Sequence, residues 1–244
     1  RADRILAALP PRSGESKLTF AITVFGKQNR TLKHRPIELK QLLRSSGRSV
    51  RWLADKSGQV SPAAVAKLNL TTEGYDIVIA VEHDKAYVGL TTHVQDANAW
   101  SLRDYGRPAR DARNGMLPPK LARMMINLGL SKQSHTLLDP FCGSGTILME
   151  AALMDQKMQL IGSDIDERQV ADTNRNLDWM TEQRLMSTER RKAINCFPHD
   201  ARTIHQSIHN PVDLIVTEGF LGAPLHGHET GQQLDREVRH ITDL

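Results

Sequence analysis

Cysteine, aromatic residues and long apolar runs are all scarce in this chain of 244 residues. Two cysteines, Cys142 and Cys196, cannot build a disulfide framework, which excludes the stapled scaffolds of small secreted proteins. No stretch approaches the ~20 apolar residues that span a bilayer; the longest uncharged apolar-rich one, Pro140–Met149, is interrupted by Pro and Gly. No secretory leader is visible, so a reducing cytosol is the expected compartment, and the Asn-x-Thr matches at Asn29 and Asn69 carry no meaning for glycosylation. Aromatics make up only 5%, yet the hydrophobic share of 39% is ordinary for a globular chain and excludes disorder. The length falls between one large domain and two of about 100–150 residues. The first residue is Arg1 rather than Met, so a longer native chain is expected.

Acidic residues are scarce in one half. Residues 1–135 hold 22 Lys+Arg against 11 Asp+Glu, and residues 136–244 hold 10 against 17, balances of +11 and −7 behind the net charge of +4. Such asymmetry predicts two modules with different partners. The densest basic stretch is Lys27–Arg51, where Lys27, Arg30, Lys33, Arg35, Lys40, Arg44, Arg48 and Arg51 face the single acid Glu38. A second cluster follows at Arg103, Arg107, Arg110 and Arg113. Together they read as an electrostatic footprint for a polyanion, nucleic acid above all.

The first 95 residues predict a small α+β module. Lys17–Phe25 and Ser49–Leu53 read as strands, and Pro36–Leu43 and Ser61–Lys67 as helices, the second with Ser61 as N-cap and Pro62 at its first position. Tyr75–Val81 and Tyr87–Thr92 read as a hairpin. Residues 96–117 are polar and Gly/Arg-rich and read as a linker. From 118 to 244, strands and helices alternate. Pro118–Leu128 is an amphipathic helix; then come strand Thr136–Pro140, helix Thr146–Met154, strand Gln159–Ser163 and helix Glu167–Trp179. Strand Ile194–His199, short helix Thr203–Ile208, strand Val212–Thr217 and helix Gln232–Ile241 complete the pattern. Repeated βα units with apolar strands predict a parallel sheet in a Rossmann-like α/β domain. Such a domain normally has more than four strands, so its C-terminal part is expected to be missing.

The strongest chemical signal is Leu138-Asp139-Pro140-Phe141-Cys142-Gly143-Ser144-Gly145-Thr146, at a strand-to-helix turn. Gly143 and Gly145 permit a tight turn and close approach of a ligand. A P-loop would need a Lys before its last hydroxyl residue, and a dinucleotide fingerprint a third Gly where Leu148 stands; neither is present. An acid at the end of the first strand is ill placed beside a pyrophosphate but suits the ammonium of an amino acid, which S-adenosylmethionine (SAM) carries. In Gly162-Ser163-Asp164-Ile165-Asp166, Asp164 ends the second strand, where a carboxylate accepts from ribose hydroxyls. In His199-Asp200-Ala201, Asp200 ends the third, within reach of an adenine amine. The predicted cofactor residues are therefore Asp139, Pro140, Phe141, Gly143, Gly145, Thr146, Asp164, Ile165, Asp200 and Ala201.

Three segments carry a family likeness: Arg103-Asp-Tyr-Gly-Arg107-Pro-Ala-Arg110-Asp111, Gly115-Met-Leu-Pro-Pro-Lys-Leu-Ala122 and the Asp139–Thr146 turn. The chain resembles the THUMP-containing RNA guanine-N2 methyltransferases, and among them the enzymes that methylate the guanosine at position ten of tRNA. The resemblance is weak over the N-terminal half and strong from 103 to 222. It implies a THUMP-like RNA grip over 1–95, with Lys27, Arg30, Lys33, Arg35, Arg44, Arg48, Arg51, Arg103, Arg107, Arg110 and Arg113 on the RNA, and a SAM-dependent domain over 118–244. A small activating protein accompanies some relatives. It also implies a further N-terminal domain, absent from this sequence.

The family's fourth motif is Asp/Asn-Pro-Pro-Tyr/Phe. This chain has Thr217-Glu218-Gly219-Phe220, which loses both prolines and puts Thr where the acid stands. The reaction needs an acceptor for an amine N–H and an aromatic face for the base, roles that Glu218 and Phe220 can fill. His205 with His209, and His226-Gly-His228-Glu229, lack a third ligand at zinc spacing, so no metal is assigned. Two alternatives stay open at this stage. One is an amino methyltransferase of adenine in nucleic acid, of rRNA guanine or of a glutamine side chain. The other is a protein that binds tRNA and SAM with impaired catalysis.

Overall fold

The structure, a computed structural model, describes residues 2–11, 17–26, 35–45, 47, 49–54, 60–83, 85–110, 115–132, 134–220, 222, 227 and 230–242. It has two compact units, Arg1–Ala97 and Asn98–Leu244.

The first unit is a four-stranded sheet with helices on its faces. Its elements are α1 (Ala2–Ala8), β1 (Leu18–Gly26), α2 (Arg35–Arg44), β2 (Val50–Leu53), α3 (Pro62–Lys67), β3 (Tyr75–Glu82) and β4 (Lys85–Leu90). The strand order is β2-β1-β3-β4, with β1 parallel to β2 and β3, and β4 antiparallel to β3. Alternation along β1 and β3 sends Phe20, Ile22, Ile77 and Ile79 to one face, where they pack with Ile5 of α1 and Leu39 and Leu43 of α2. The opposite face is covered at one end by Val65 of α3 and by Leu70, over Ala21. Ser61 caps α3 by accepting from the Ala64 N–H, and Pro62 starts the helix where no donor is needed.

The second unit has a parallel sheet. Its elements are α4 (Ala97–Tyr105), α5 (Pro119–Gly129), β5 (Thr136–Asp139), α6 (Thr146–Met154), β6 (Gln159–Asp164), α7 (Glu167–Glu182), α8 (Thr188–Lys192), β7 (Ile194–Pro198), a 3-10 turn (Ala201–Gln206), β8 (Leu214–Ile215) and α9 (Gly231–Thr242). The order β7-β6-β5-β8, all parallel, is that of a doubly wound sheet, with the carboxyl ends of β5, β6 and β7 on one edge. α6 buries Thr146 through Ala152 and forms the centre of the core with Leu137, Leu160, Leu177 and Met180. A methyl group added at Gly162 would overlap the buried Leu148 side chain, so glycine here leaves room for that side chain of α6 against β6. Among the described residues no helix is long and apolar enough to cross a membrane.

The segment 96–117 is not a linker. It contains α4, and Arg103, Arg107, Ala109 and Leu117 are buried in the second unit. The reason lies in α6, whose apolar sequence carries one acid, the fully buried Glu150. Two arginines answer it: Arg103 Nε donates to Glu150 Oε1 at 2.6 Å, and Arg123 lies 3.1 Å from Oε2. Asn176 of α7 binds the same segment from the other side. It accepts from the Ala109 N–H and donates to the carbonyls of Ala109 and Ser144. The expected strand Val212–Thr217 is reduced to Leu214–Ile215, because the Asp213 carboxylate turns back to accept from the His135 and Thr136 amides at the start of β5.

Candidate functional site

Asp139 is the last residue of β5 and is 1% exposed. Its Oδ1 accepts from Thr217 Oγ1 at 2.8 Å and from the Phe141 N–H at 3.3 Å. Burial dominates over these bonds and pushes its carboxyl up to about 7. The turn that follows is held by other elements. Cys142 N–H donates to the Ser163 carbonyl, and Thr173 Oγ1 donates to the Gly143 carbonyl at 2.6 Å. Gly145 lies at φ +86, and an added methyl would meet Thr173 Cγ2 at 2.9 Å, so both backbone and space require glycine there. Burial pushes the Cys142 thiol well up, which leaves it a packed thiol and no nucleophile.

Asp164 ends β6. One oxygen accepts from the Gly143 N–H at 2.9 Å and the other from the Asp166 N–H at 3.0 Å, so this carboxylate binds the turn to the second strand. Each oxygen keeps a second lone pair for a ligand. Asp200 follows β7 and caps the 3-10 turn, accepting from the Arg202 N–H. The Arg202 guanidinium also grips it, with NH2 2.6 Å from Oδ2, and holds its carboxyl down at about 2.

These groups line two adjoining cavities. One, of about 320 Å³, holds Asp139, Phe141, Gly143, Thr146, Asp164, Ile165 and Glu218 to Phe220. The other, of about 400 Å³, shares Phe141, Asp164, Ile165 and Glu218 to Phe220 and adds Pro140, Asp200, Ala201 and Arg202. Of the predicted cofactor residues, Gly145 alone lines neither cavity; it shapes the turn beneath them. Thr217 departs from its expected place, since its hydroxyl is turned to Asp139 while Glu218 and the half-exposed Phe220 face the cavities.

The basic residues divide. Lys27, Arg30, Lys33, Arg48 and Arg113 lie outside the described residues, as does the Arg35 side chain; Arg44 and Arg51 are exposed on α2 and β2. Arg110 is exposed beside the Tyr105 ring. Arg103 and Arg107 correct the expectation of an RNA contact, being 6% and 2% exposed. Arg103 is spent on Glu150, and Arg107 NH1 donates to Thr146 Oγ1 at 2.6 Å. Because Arg107 can only donate, the Thr146 hydroxyl proton is directed elsewhere, on a residue that lines the cavity. Sequence reasoning missed Met116, which lines the same cavity and whose sulfur lies 3.2 Å from Arg107 NH2. The lone acid in the apolar α6 was the available signal that these arginines point inward. His226, His228 and Glu229 lie outside the described residues, and among the described ones no cluster could hold a metal ion.

The parallel sheet, its glycine turn and the row of strand-end acids define a Rossmann-like domain with a ligand cleft at its carboxyl edge. The chain belongs to the RMKL-like methyltransferase domain family UPF0020, which matches residues 107–242. The tRNA (guanine(10)-N2)-dimethyltransferase of Methanocaldococcus jannaschii is 32% identical over 179 residues, 70% of this chain and 47% of that protein. The enzyme of the same name from Methanothermobacter thermautotrophicus is 51% identical over 129 residues, 53% of this chain and 34% of that protein. The chain thus spans half or less of the length of these curated relatives. The crystal structure of TrmN from Thermus thermophilus shares the fold at a TM-score of 0.53 and 20% identity, over 98% of this chain and 60% of that one.

Proposed function

We propose that this chain is the cofactor-binding and RNA-gripping part of a SAM-dependent methyltransferase that forms N2-methylguanosine in tRNA. The observation that carries the reading is the row Asp139, Asp164 and Asp200 ending three successive strands on a cleft whose other wall is Glu218 to Phe220. The names of the two archaeal relatives supply the substrate. Asp139, buried with no cation beside it among the described residues, fits an ammonium, and Thr146 offers a hydroxyl proton to the carboxylate of the same amino-acid group. The spare lone pairs of Asp164 fit ribose hydroxyls, and Asp200 an adenine amine, between the side chains of Phe141 and Ile165. Bound SAM supplies an electrophilic methyl on a sulfonium.

The guanine amine is a weak nucleophile because its lone pair is delocalised into the ring. Phe220 stacks the base, which fixes the amine in line with the methyl. Glu218 accepts an amine N–H, localises the lone pair and receives the proton as the C–N bond forms. Thr217 acts at one remove, by holding Asp139. The first unit, basic and built on a mixed sheet, is read as a THUMP-like grip that delivers the RNA. Replacing Glu218 by Gln, or Phe220 by Ala, is expected to lower the methyl-transfer rate by about 10²-fold or more while SAM affinity changes little. Unchanged transfer in both variants would remove the fourth segment from the chemistry.

A further inference from the structure

The sheet of the first unit is covered on one face by α1 and α2, while on the other α3 covers only the Ala21 end. At the far end of that second face the strand register sets three residues in a row: Phe25 of β1 opposite Ala80 of β3, and Ala80 opposite Tyr87 of β4. Phe25 is 57% exposed and Tyr87 55%, although a large ring on a sheet is normally packed away. Strands lie about 4.8 Å apart, so the two rings rise from backbones about 10 Å apart with only a methyl group between them. Stacked rings sit about 4.5–7 Å centroid to centroid, so this gap admits one planar ring between the two. The next row inward is Thr23, Val78 and Gly89, and at Gly89 a side chain would meet nothing within 4 Å, which leaves the mouth open. Glu82 and Lys85, paired across the hairpin, lie on the outer side of the slot and offer an acceptor and a donor to a base edge.

We infer that Phe25 and Tyr87 form a slot for an unpaired RNA base, a proposal that rests on the RNA reading above and gives the grip its contact with a base. The unit holding the slot carries 15 Lys+Arg against 9 Asp+Glu over residues 1–97, a charge complementary to a nucleic acid strand. The two rings stand on either side of one strand with only Ala80 between them, the spacing of a sandwich around a single flat ring, and self-association of the chain is the competing outcome that the test separates. Stacking on aromatic side chains selects single-stranded over paired nucleotides, because only an unstacked base can enter.

The test measures binding of the whole chain to a fluorescent single-stranded oligoribonucleotide and to its duplex, over a series of salt concentrations. Phe25→Ala and Tyr87→Ala are each expected to weaken single-strand binding about tenfold. Duplex affinity and the slope of log affinity against log salt stay as in the wild type, since no phosphate contact is lost. Phe25→Tyr and Tyr87→Phe keep a ring and are expected to bind within about twofold of the wild type, which separates stacking from damage to the fold. Alanine variants that bind single strands normally would overturn the slot while leaving the methyltransferase reading intact. So would alanine variants that only abolish self-association of the chain, which would make the patch a contact between copies. A wild-type chain that binds no RNA at all would remove the underlying reading as well.

Discussion

Asp139 concentrates the chemistry of the cofactor cleft in one carboxyl group. Its raised value of about 7 comes from burial, opposed by the Thr217 hydroxyl. Only the ionised form pairs with an ammonium, so SAM affinity is expected to rise with pH through about 7 and to fall below it. Calorimetric titrations between pH 6 and 8.5 would reveal this, and Asp139→Asn should both weaken binding and remove that part of the pH dependence. Thr217→Val takes away the bond that favours the ionised form, so the midpoint should move to higher pH. Folding stability follows the opposite sign. A carboxyl held above its ordinary value contributes stability below that ordinary value, and loses it as pH rises through about 7. An affinity independent of pH in the wild type would contradict the assignment of Asp139. At this scale the sequence located Asp139, Asp164 and Asp200 after three successive apolar runs; any one alone would read as a helix cap or surface acid, and only the series with the glycine turn pointed to a cleft. It was silent about Thr217 and Asp200 as partnered groups, since neither the Thr217–Asp139 bond nor the Arg202 grip has a local signature.

Helix α4 and the loop after it mark the limit of reading elements from pattern. Strands β1 and β3 were recognisable from apolar spacing imposed by burial on one face, α3 from its Ser-Pro start, and α6 from a nearly unbroken apolar run after the glycine turn. The segment 96–117 is polar, yet its Arg103 and Arg107 are buried, because they answer polar groups of α6, Glu150 and Thr146. Composition cannot distinguish an arginine facing phosphate from one facing Glu150. The two roles differ in measurement. Arg103→Ala takes the closer of two arginines from buried Glu150 and leaves only Arg123, so it should lower unfolding free energy by about 1–3 kcal/mol, measured by urea denaturation. Its effect on the salt slope of RNA binding should be nil. Gly145→Ala should act in the same unit by another route, combining a left-handed backbone with a clash against Thr173, and should cost at least about 1 kcal/mol together with SAM affinity. A normal urea midpoint for Arg103→Ala, with a shallower salt slope, would return that residue to the RNA surface.

The two units carry different chemistry: a basic mixed-sheet unit with an aromatic slot, and a parallel-sheet unit with an acidic cleft. The charge division read along the sequence falls at residue 135, whereas the units divide at 97; over the units the balance is +6 (15 Lys+Arg against 9 Asp+Glu) and −2 (17 against 19). Methylation of a guanine amine within RNA requires both functions, one to hold a polyanion and one to bring a base beside an electrophilic methyl. The measurement that tests the whole account most directly is transfer of a labelled methyl group from SAM into unmodified tRNA, followed by digestion and nucleoside separation. The account predicts label in N2-methylguanosine, lost on replacing Glu218 and reduced on raising salt. Label confined to a methylated adenosine, or no transfer from a chain that binds both SAM and tRNA, would contradict it.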